Sequence, residues 1–258
     1  TYPFSWPAVI TRYGLMDLCG FPKDSYYYYQ AEWTEAPVLH LFPHWNLECE
    51  TGANIDLWCY TNCAEVELWL NDASQGRLKR APYRKLQWDV PYAQGKLEAV
   101  GYDSSGEEIV RTVVETTGPT AKIQITKAHS NIEADGSTVA ILNVCACDTA
   151  GRFVPTANDM LDFEIDGEAT LLGVGNGNPT SHEPEQASHR QLFNGCAQLI
   201  VRTHGQSGTV SILAHSKKLE SASHRIEVLQ AINITQSIGA STVQSTDIKK
   251  LNPIDGSL

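Results

Sequence analysis

Residues 65–71 read EVELWLN. Val66, Leu68 and Leu70 alternate with Glu65, Glu67, Trp69 and Asn71, a period of two that fits a strand with one face buried and one wet. Working outward, the same short alternating runs recur. They are IDLWCY (55–60), KLQWDV (85–90), KLEAVGY (96–102) and EIVRTVVE (108–115), separated by Gly, Asn, Asp and Pro. Gly118–Pro119 marks a joint, and a second series follows: AKIQIT (121–126), STVAILNVCACD (137–148), MLDFEID (160–166), ATLLGVG (169–175), CAQLIVRT (196–203), TVSILAHS (209–216) and HRIEVL (224–229). ADGS (134–137) and DTAG (148–151) are turn sequences. Strands at this spacing predict a mainly β chain of two immunoglobulin-like antiparallel sandwiches. Residues 231–258, rich in Ser, Thr and Ile, read as a linker or frayed tail, and the sequon at Asn233 carries little weight without a secretory signal.

The N-terminal stretch breaks the pattern. DSYYYYQAEWTE (24–35) predicts a helix, N-capped by Asp24 and stopped by Pro37. Tyr26, Tyr29 and Trp33 share one face, but Tyr27 and Tyr28 do not, so the helix is aromatic nearly all round and must be covered on more than one side.

Composition excludes some classes. The 258 residues carry a net charge of −11, which argues against nucleic acid and anionic membranes as partners. No run of apolar residues is long enough to cross a membrane as a helix. The seven cysteines, Cys19, Cys49, Cys59, Cys63, Cys145, Cys147 and Cys196, lack zinc-site spacing and read as free thiols. No metal or cofactor is expected.

Three stretches are candidates for chemistry. GVGNGNPTSHEPEQASHR (173–190) is long for a hairpin loop. Its His182–Glu183 pair is either an acid–base or ligand-binding pair, or part of a packed, self-bonded loop. No helix follows Gly173-x-Gly175-x-Gly177, which rules out a phosphate loop. In LHLFPHWN (39–46), His44 and Trp45 either line a sugar site or plug a domain boundary. In YPFSWPAVITRYG (2–14), Tyr2, Trp6, Arg12 and Tyr13 are unusual for a trivial terminus. Trp58, Trp69 and Trp88 are either strand core or a sugar platform. No carboxylate pair marks a catalytic acid, and no GxSxG, HExxH or Walker loop is present.

The ordered set WPAVITRYGLMDLCGFPKDSYYYYQAEW, PVLHLFPHWN, DLWCYTNCAEVELWLND, LEAVGY, ETTGPTAKI, ADG, GVGNGNPTSHEP and FNG (193–195) resembles the C-terminal part of bacterial glycoside hydrolase family 2 enzymes, closest to the β-galactosidases. The resemblance spans residues 1 to about 229. It implies the following organisation. Residues 1–36 are the last rim loop and final helix of a (β/α)₈ barrel, 37–117 one immunoglobulin-like sandwich, and 118–230 a second, immunoglobulin- or invasin-like one. It implies retaining hydrolysis of terminal β-D-galactosides, with both catalytic glutamates upstream of this chain, so that no catalytic residue is assigned here and the chain alone is inactive. The partner is then the N-terminal catalytic portion, and Tyr2, Trp6, Arg12, Tyr13, Lys23 and Asp24 become rim contacts to the sugar, followed by His44, Trp45, His182 and Glu183. A β-glucuronidase, a β-galacturonidase and a non-catalytic carbohydrate-binding or adhesion module stand as alternatives. Homo-oligomerisation and a cytoplasmic or periplasmic location stay open.

Overall fold

A computed structural model describes residues 5–127 and 132–230. Tyr2 and residues 231–258 therefore lie outside the described residues. The described chain is mainly β. One helix, α1 (Asp24–Trp33), precedes sixteen strands: β1 (Leu39–Phe42), β2 (Asn54–Thr61), β3 (Glu65–Leu70), β4 (Ala73–Lys79), β5 (Leu86–Pro91), β6 (Lys96–Tyr102), β7 (Glu108–Glu115), β8 (Lys122–Lys127), β9 (Ile132–Glu133), β10 (Val139–Cys147), β11 (Met160–Asp166), β12 (Ala169–Gly175), β13 (His189–Gln191), β14 (Cys196–Thr203), β15 (Gly208–His215) and β16 (Ala222–Leu229).

They form two sandwiches. In the first, sheet β1-β2-β5 faces sheet β4-β3-β6-β7. Leu57, Cys59, Trp88 and Val90 from one sheet meet Val66, Leu68, Leu97 and Ala99 from the other in a single core. The alternation in EVELWLN thus points inward as expected. In the second, β12-β14-β10-β8 faces β13-β11-β15-β16-β9 over Leu142, Val144, Leu199, Leu161, Phe163 and Ile212. The joint is tied to both halves. Asn46 and Thr117 exchange two hydrogen bonds, and the buried Asp148 carboxylate accepts the Gly118 amide at 3.0 Å.

Four strands escape the sequence pattern. β4, ASQGRLK, is a solvated edge strand with no apolar alternation, and it is recognised only by its pairing to β3. β1, β9 and β13 are two to four residues long, too short to show a period. Strand β10 begins two residues later than read, because the Asp135 carboxylate takes the Ser137 and Thr138 amides into a turn.

The helix also differs in detail. Its N-cap is Lys23, without a side-chain cap, and its last residue is Trp33. Asp24 is the first helical residue, and its carboxylate accepts a hydrogen bond from His40 Nε2 at 2.8 Å instead of capping the helix. The tyrosines cover the outer face of β1-β2-β5. Tyr27 stacks on His40 at 3.8 Å, His40 and Tyr60 flank Phe42, and Tyr28 packs edge-on to Tyr60. Arg80 and Glu32 close the far end of the helix with a 2.7 Å ion pair. One side of α1 is thereby accounted for. Tyr29 and Trp33, in edge contact with each other, stay exposed on the other side.

Candidate functional site

The segment before α1 is folded by its own polar groups. Asp17 Oδ1 accepts the amides of Cys19 and Phe21, closing a loop that Met16 and Pro22 pin by a β-bridge. Lys23 Nζ donates to the carbonyls of Arg12 and Gly14, at 3.2 and 2.8 Å, and holds the turn above it.

This segment lies on the 173–190 loop of the second sandwich. The Val9 amide donates to the Pro179 carbonyl, His182 Nε2 donates to the Pro7 carbonyl at 3.0 Å, and the Trp6 and His182 rings lie 4.3 Å apart. Gln198 Nε2 donates to the Cys19 carbonyl. Two glycines make the approach possible. A Cβ on Gly175 would sit 2.6 Å from Cys19 Sγ, and one on Gly177, already at φ +73°, would strike the Asp17 carboxylate. The glycine spacing, already excluded as a phosphate loop, is thus a landing strip for the N-terminal segment.

The loop is itself fixed by Arg190, whose side chain is 3% exposed. Its guanidinium donates to the carbonyls of Val174 and Pro184 at 2.8 and 2.9 Å and pairs with Glu183 at 3.6 Å. Glu183 also accepts Ser181 Oγ and the Gln191 amide. Of the two readings of His182–Glu183, the geometry matches the packed loop: one residue docks the N-terminal segment and the other anchors the loop.

Between the segment and the second sandwich opens a cleft of about 670 Å³. It brings Arg12, Lys23 and Asp24 together with Tyr27, Phe153 and Asn194. Guanidinium, ammonium, carboxylate and aromatic faces around one space can hydrogen-bond and stack a sugar. Phe153, Phe193 and Asn194 were not legible as site residues. Phe193 and Asn194 had one signal, FNG, where Asn194 and Gly195 are successive left-handed residues of a tight turn, and Phe153 had none.

The other candidates fall elsewhere. Trp6 and Tyr13 are exposed, 79% and 76%, on the N-terminal segment. His44 sits beyond β1 with Nδ1 accepting the Asn46 amide, and burial lowers its pKa while nearby Asp24 opposes the shift. Trp45 is a correction. It is fully buried in the first core, its indole donating to the Ala93 carbonyl and its ring against Tyr92, so no ring face is available to a sugar. Trp88 is core as well. Trp58 lies under Lys85, and Trp69 is half-buried on an outer sheet face.

Known proteins place this architecture. Residues 123–225 match the glycoside hydrolase family 2 C-terminal domain 5, and residues 52–110 match a domain of unknown function, DUF4982. The β-galactosidase BoGH2A of Bacteroides ovatus is 38% identical over 223 residues, 85% of this chain and 26% of that protein. A β-glucuronidase of Formosa agariphila is 32% identical over 215 residues, 81% of this chain and 21% of that protein. Among solved structures, a β-glycosidase from Bacteroides vulgatus superimposes with a TM-score of 0.83 at 31% identity, covering 87% of this chain and 29% of its own. The chain spans about a quarter of the length of these relatives. Its two sandwiches, the N-terminal segment docked on them and the run of matched sequence correspond to the C-terminal region of such enzymes, and the chain belongs to glycoside hydrolase family 2.

Proposed function

We propose that this chain is the C-terminal part of a retaining exo-β-glycosidase acting on terminal β-D-galactosides. Residues 5–36 complete a catalytic (β/α)₈ barrel carried by the N-terminal portion, and residues 37–117 and 118–230 are accessory immunoglobulin-like domains. The observation that carries this reading is where the exposed apolar surface lies. Trp6, Val9, Tyr13, Met16, Leu18, Tyr29 and Trp33, all within residues 6–33, make up half of the large exposed hydrophobic side chains among the described residues. A concentration of this kind marks a surface that another body covers. The barrel is that body, and both catalytic glutamates reside on it. Trp6, Arg12, Tyr13, Lys23 and Asp24 then stand at the substrate rim, with the 670 Å³ cleft receiving sugars beyond the scissile bond.

The galactoside preference is supported by the Bacteroides ovatus relative. A β-glucuronide preference is the second reading, supported by the Formosa agariphila relative. The test is turnover of nitrophenyl β-galactoside and β-glucuronide by this chain joined to a family 2 barrel, and by the chain alone. Hydrolysis of the galactoside by the joined protein only is the expected result. Turnover by the 258-residue chain alone refutes the division of labour, and glucuronide hydrolysis without galactoside hydrolysis selects the second reading.

A further inference from the structure

The outer face of sheet β4-β3-β6-β7 carries a second constellation, well away in sequence from the rim segment. A shallow cavity of about 260 Å³ is lined by Trp69, Asp72, Glu98, Val100, Tyr102 and Arg111. Sheet register puts them side by side: Trp69 on β3 is directly opposite Glu98 on β6, and Val100 is directly opposite Arg111 on β7. Trp69, Val100 and Tyr102 form the apolar floor. Tyr102 lies four residues beyond Glu98, about 13 Å at a strand's rise of about 3.3 Å per residue. Asp72 reaches the margin because Asn71 and Asp72, at φ 48° and 65°, form the tight β3–β4 turn.

The polar groups are held in place before any ligand arrives. Glu98 pairs with Lys96 at 2.6 Å and with Arg111, whose guanidinium also forks onto Glu108 at 2.8 and 3.0 Å. The Arg77 guanidinium caps the Tyr102 ring at 3.7 Å, and the Tyr102 hydroxyl donates to Glu67. These side chains stand on paired strands, the rigid setting a precise site requires.

We propose that this face is an accessory binding platform for a neutral oligosaccharide. Trp69 stacks on the apolar face of a pyranose ring. Glu98 and Asp72 accept from sugar hydroxyls, and Arg111 donates to them. A hydroxylated neutral ring uses donors and acceptors together, which a simple ion of either sign does not. Carboxylates Glu65, Glu67, Asp72, Glu98 and Glu108 outnumber Arg77, Lys96 and Arg111 around the floor, so a uronic-acid chain meets net repulsion. The choice of a glycan as ligand rests on the glycosidase reading above, whereas the geometry of the platform does not. It would give the matched domain of unknown function, residues 52–110, a role in holding substrate near the barrel.

The test is calorimetric titration of the 258-residue chain with a β-linked galactotetraose, and separately with a galacturonic acid tetramer. The expected result is saturable binding of the neutral tetramer alone. It should weaken at least about tenfold in Trp69→Ala, partly recover in Trp69→Phe and stay unchanged in Trp33→Ala. Hydroxyl-radical footprinting of the wild-type chain guards against misfolded variants, since Trp69 must be protected by the neutral tetramer. Absent binding, unchanged affinity in a folded Trp69→Ala, an unprotected Trp69, preference for the acidic tetramer, or loss through Trp33→Ala each overturns the platform. Binding is read without turnover. Loss of binding with hydrolysis intact removes only the platform, and binding by a chain whose joined enzyme fails to hydrolyse removes only the glycosidase reading.

Discussion

Trp45 gives the sharpest test of the distinction between a sugar contact and a core strut. Its side chain is fully buried between the sheets of the first sandwich. A buried tryptophan removes about 150–250 Å² from water, which at about 25 cal/mol per Å² corresponds to about 4–6 kcal/mol. Large-to-small aromatic substitutions in cores cost about 3–5 kcal/mol. The Trp45→Ala variant is therefore expected to lose about 4 kcal/mol. With a urea m-value of about 2 kcal/mol per molar, its transition midpoint falls by about 2 M. The loss belongs to the first sandwich, so unfolding should be followed by hydrogen exchange in β2 and β6 as well as by circular dichroism. Trp45→Phe keeps most of the bulk but withdraws the indole donor from the Ala93 carbonyl, and a loss of about 1–2 kcal/mol is expected. A cost below about 1 kcal/mol for Trp45→Ala, or a selective loss of sugar binding at unchanged stability, would refute the reasoning.

Three further outcomes follow from the geometry. Arg190→Met leaves the buried Val174 carbonyl without its partner and removes the donors to the Pro184 carbonyl and the part-exposed Glu183 carboxylate, an expected loss of about 2–3 kcal/mol in thermal or urea unfolding. The same variant should raise protease cleavage within residues 5–23, because the loop it anchors is their landing site, and cleavage at the wild-type rate would contradict that coupling. Burial alone would raise the Asp148 pKa, but the Arg152 and Gly118 amides and the Arg152 guanidinium outweigh it and hold the carboxylate below its usual range. Its folded pKa lies under its unfolded one, so the stabilisation is complete above about pH 4 and is lost as acid takes the pH through the folded value. Asp148→Asn should flatten that acid limb, and an unchanged limb excludes Asp148 as its source. Burial raises the thiol pKa of Cys19 and Cys196 to about 11 and of Cys145 to about 12, whereas Cys49 is exposed. Brief alkylation of the native chain should add one label, at Cys49, and rapid labelling of Cys145 would contradict the protection that its partial burial gives.

Much of the fold was legible because it obeys a local rule. A period of two over six residues buries Val66, Leu68 and Leu70 whatever their partners, and turn residues such as those of ADGS and DTAG break the runs at fixed places. The family likeness was legible for the same reason, since the ordered runs of residues are themselves the signal. What the sequence could not decide are quantities that belong to pairs of distant segments. The polar strand β4 exists only because β3 offers it a ladder, and Asp24 leaves its cap because His40 stands within hydrogen-bond reach. Trp45 and Trp69 are the same residue type on equally β-rich stretches, yet one lies between two sheets and the other outside them. Gly175 and Gly177 had no assigned purpose in the sequence, and only the structure shows Cys19 and Asp17, more than 150 positions earlier, filling the space over them. Local pattern determines which residues form strands and which of their faces is apolar. Only the tertiary contacts, which depend on side chains far apart in the chain meeting at a few ångströms, decide which aromatic ring is core, which is surface, and where a ligand can touch.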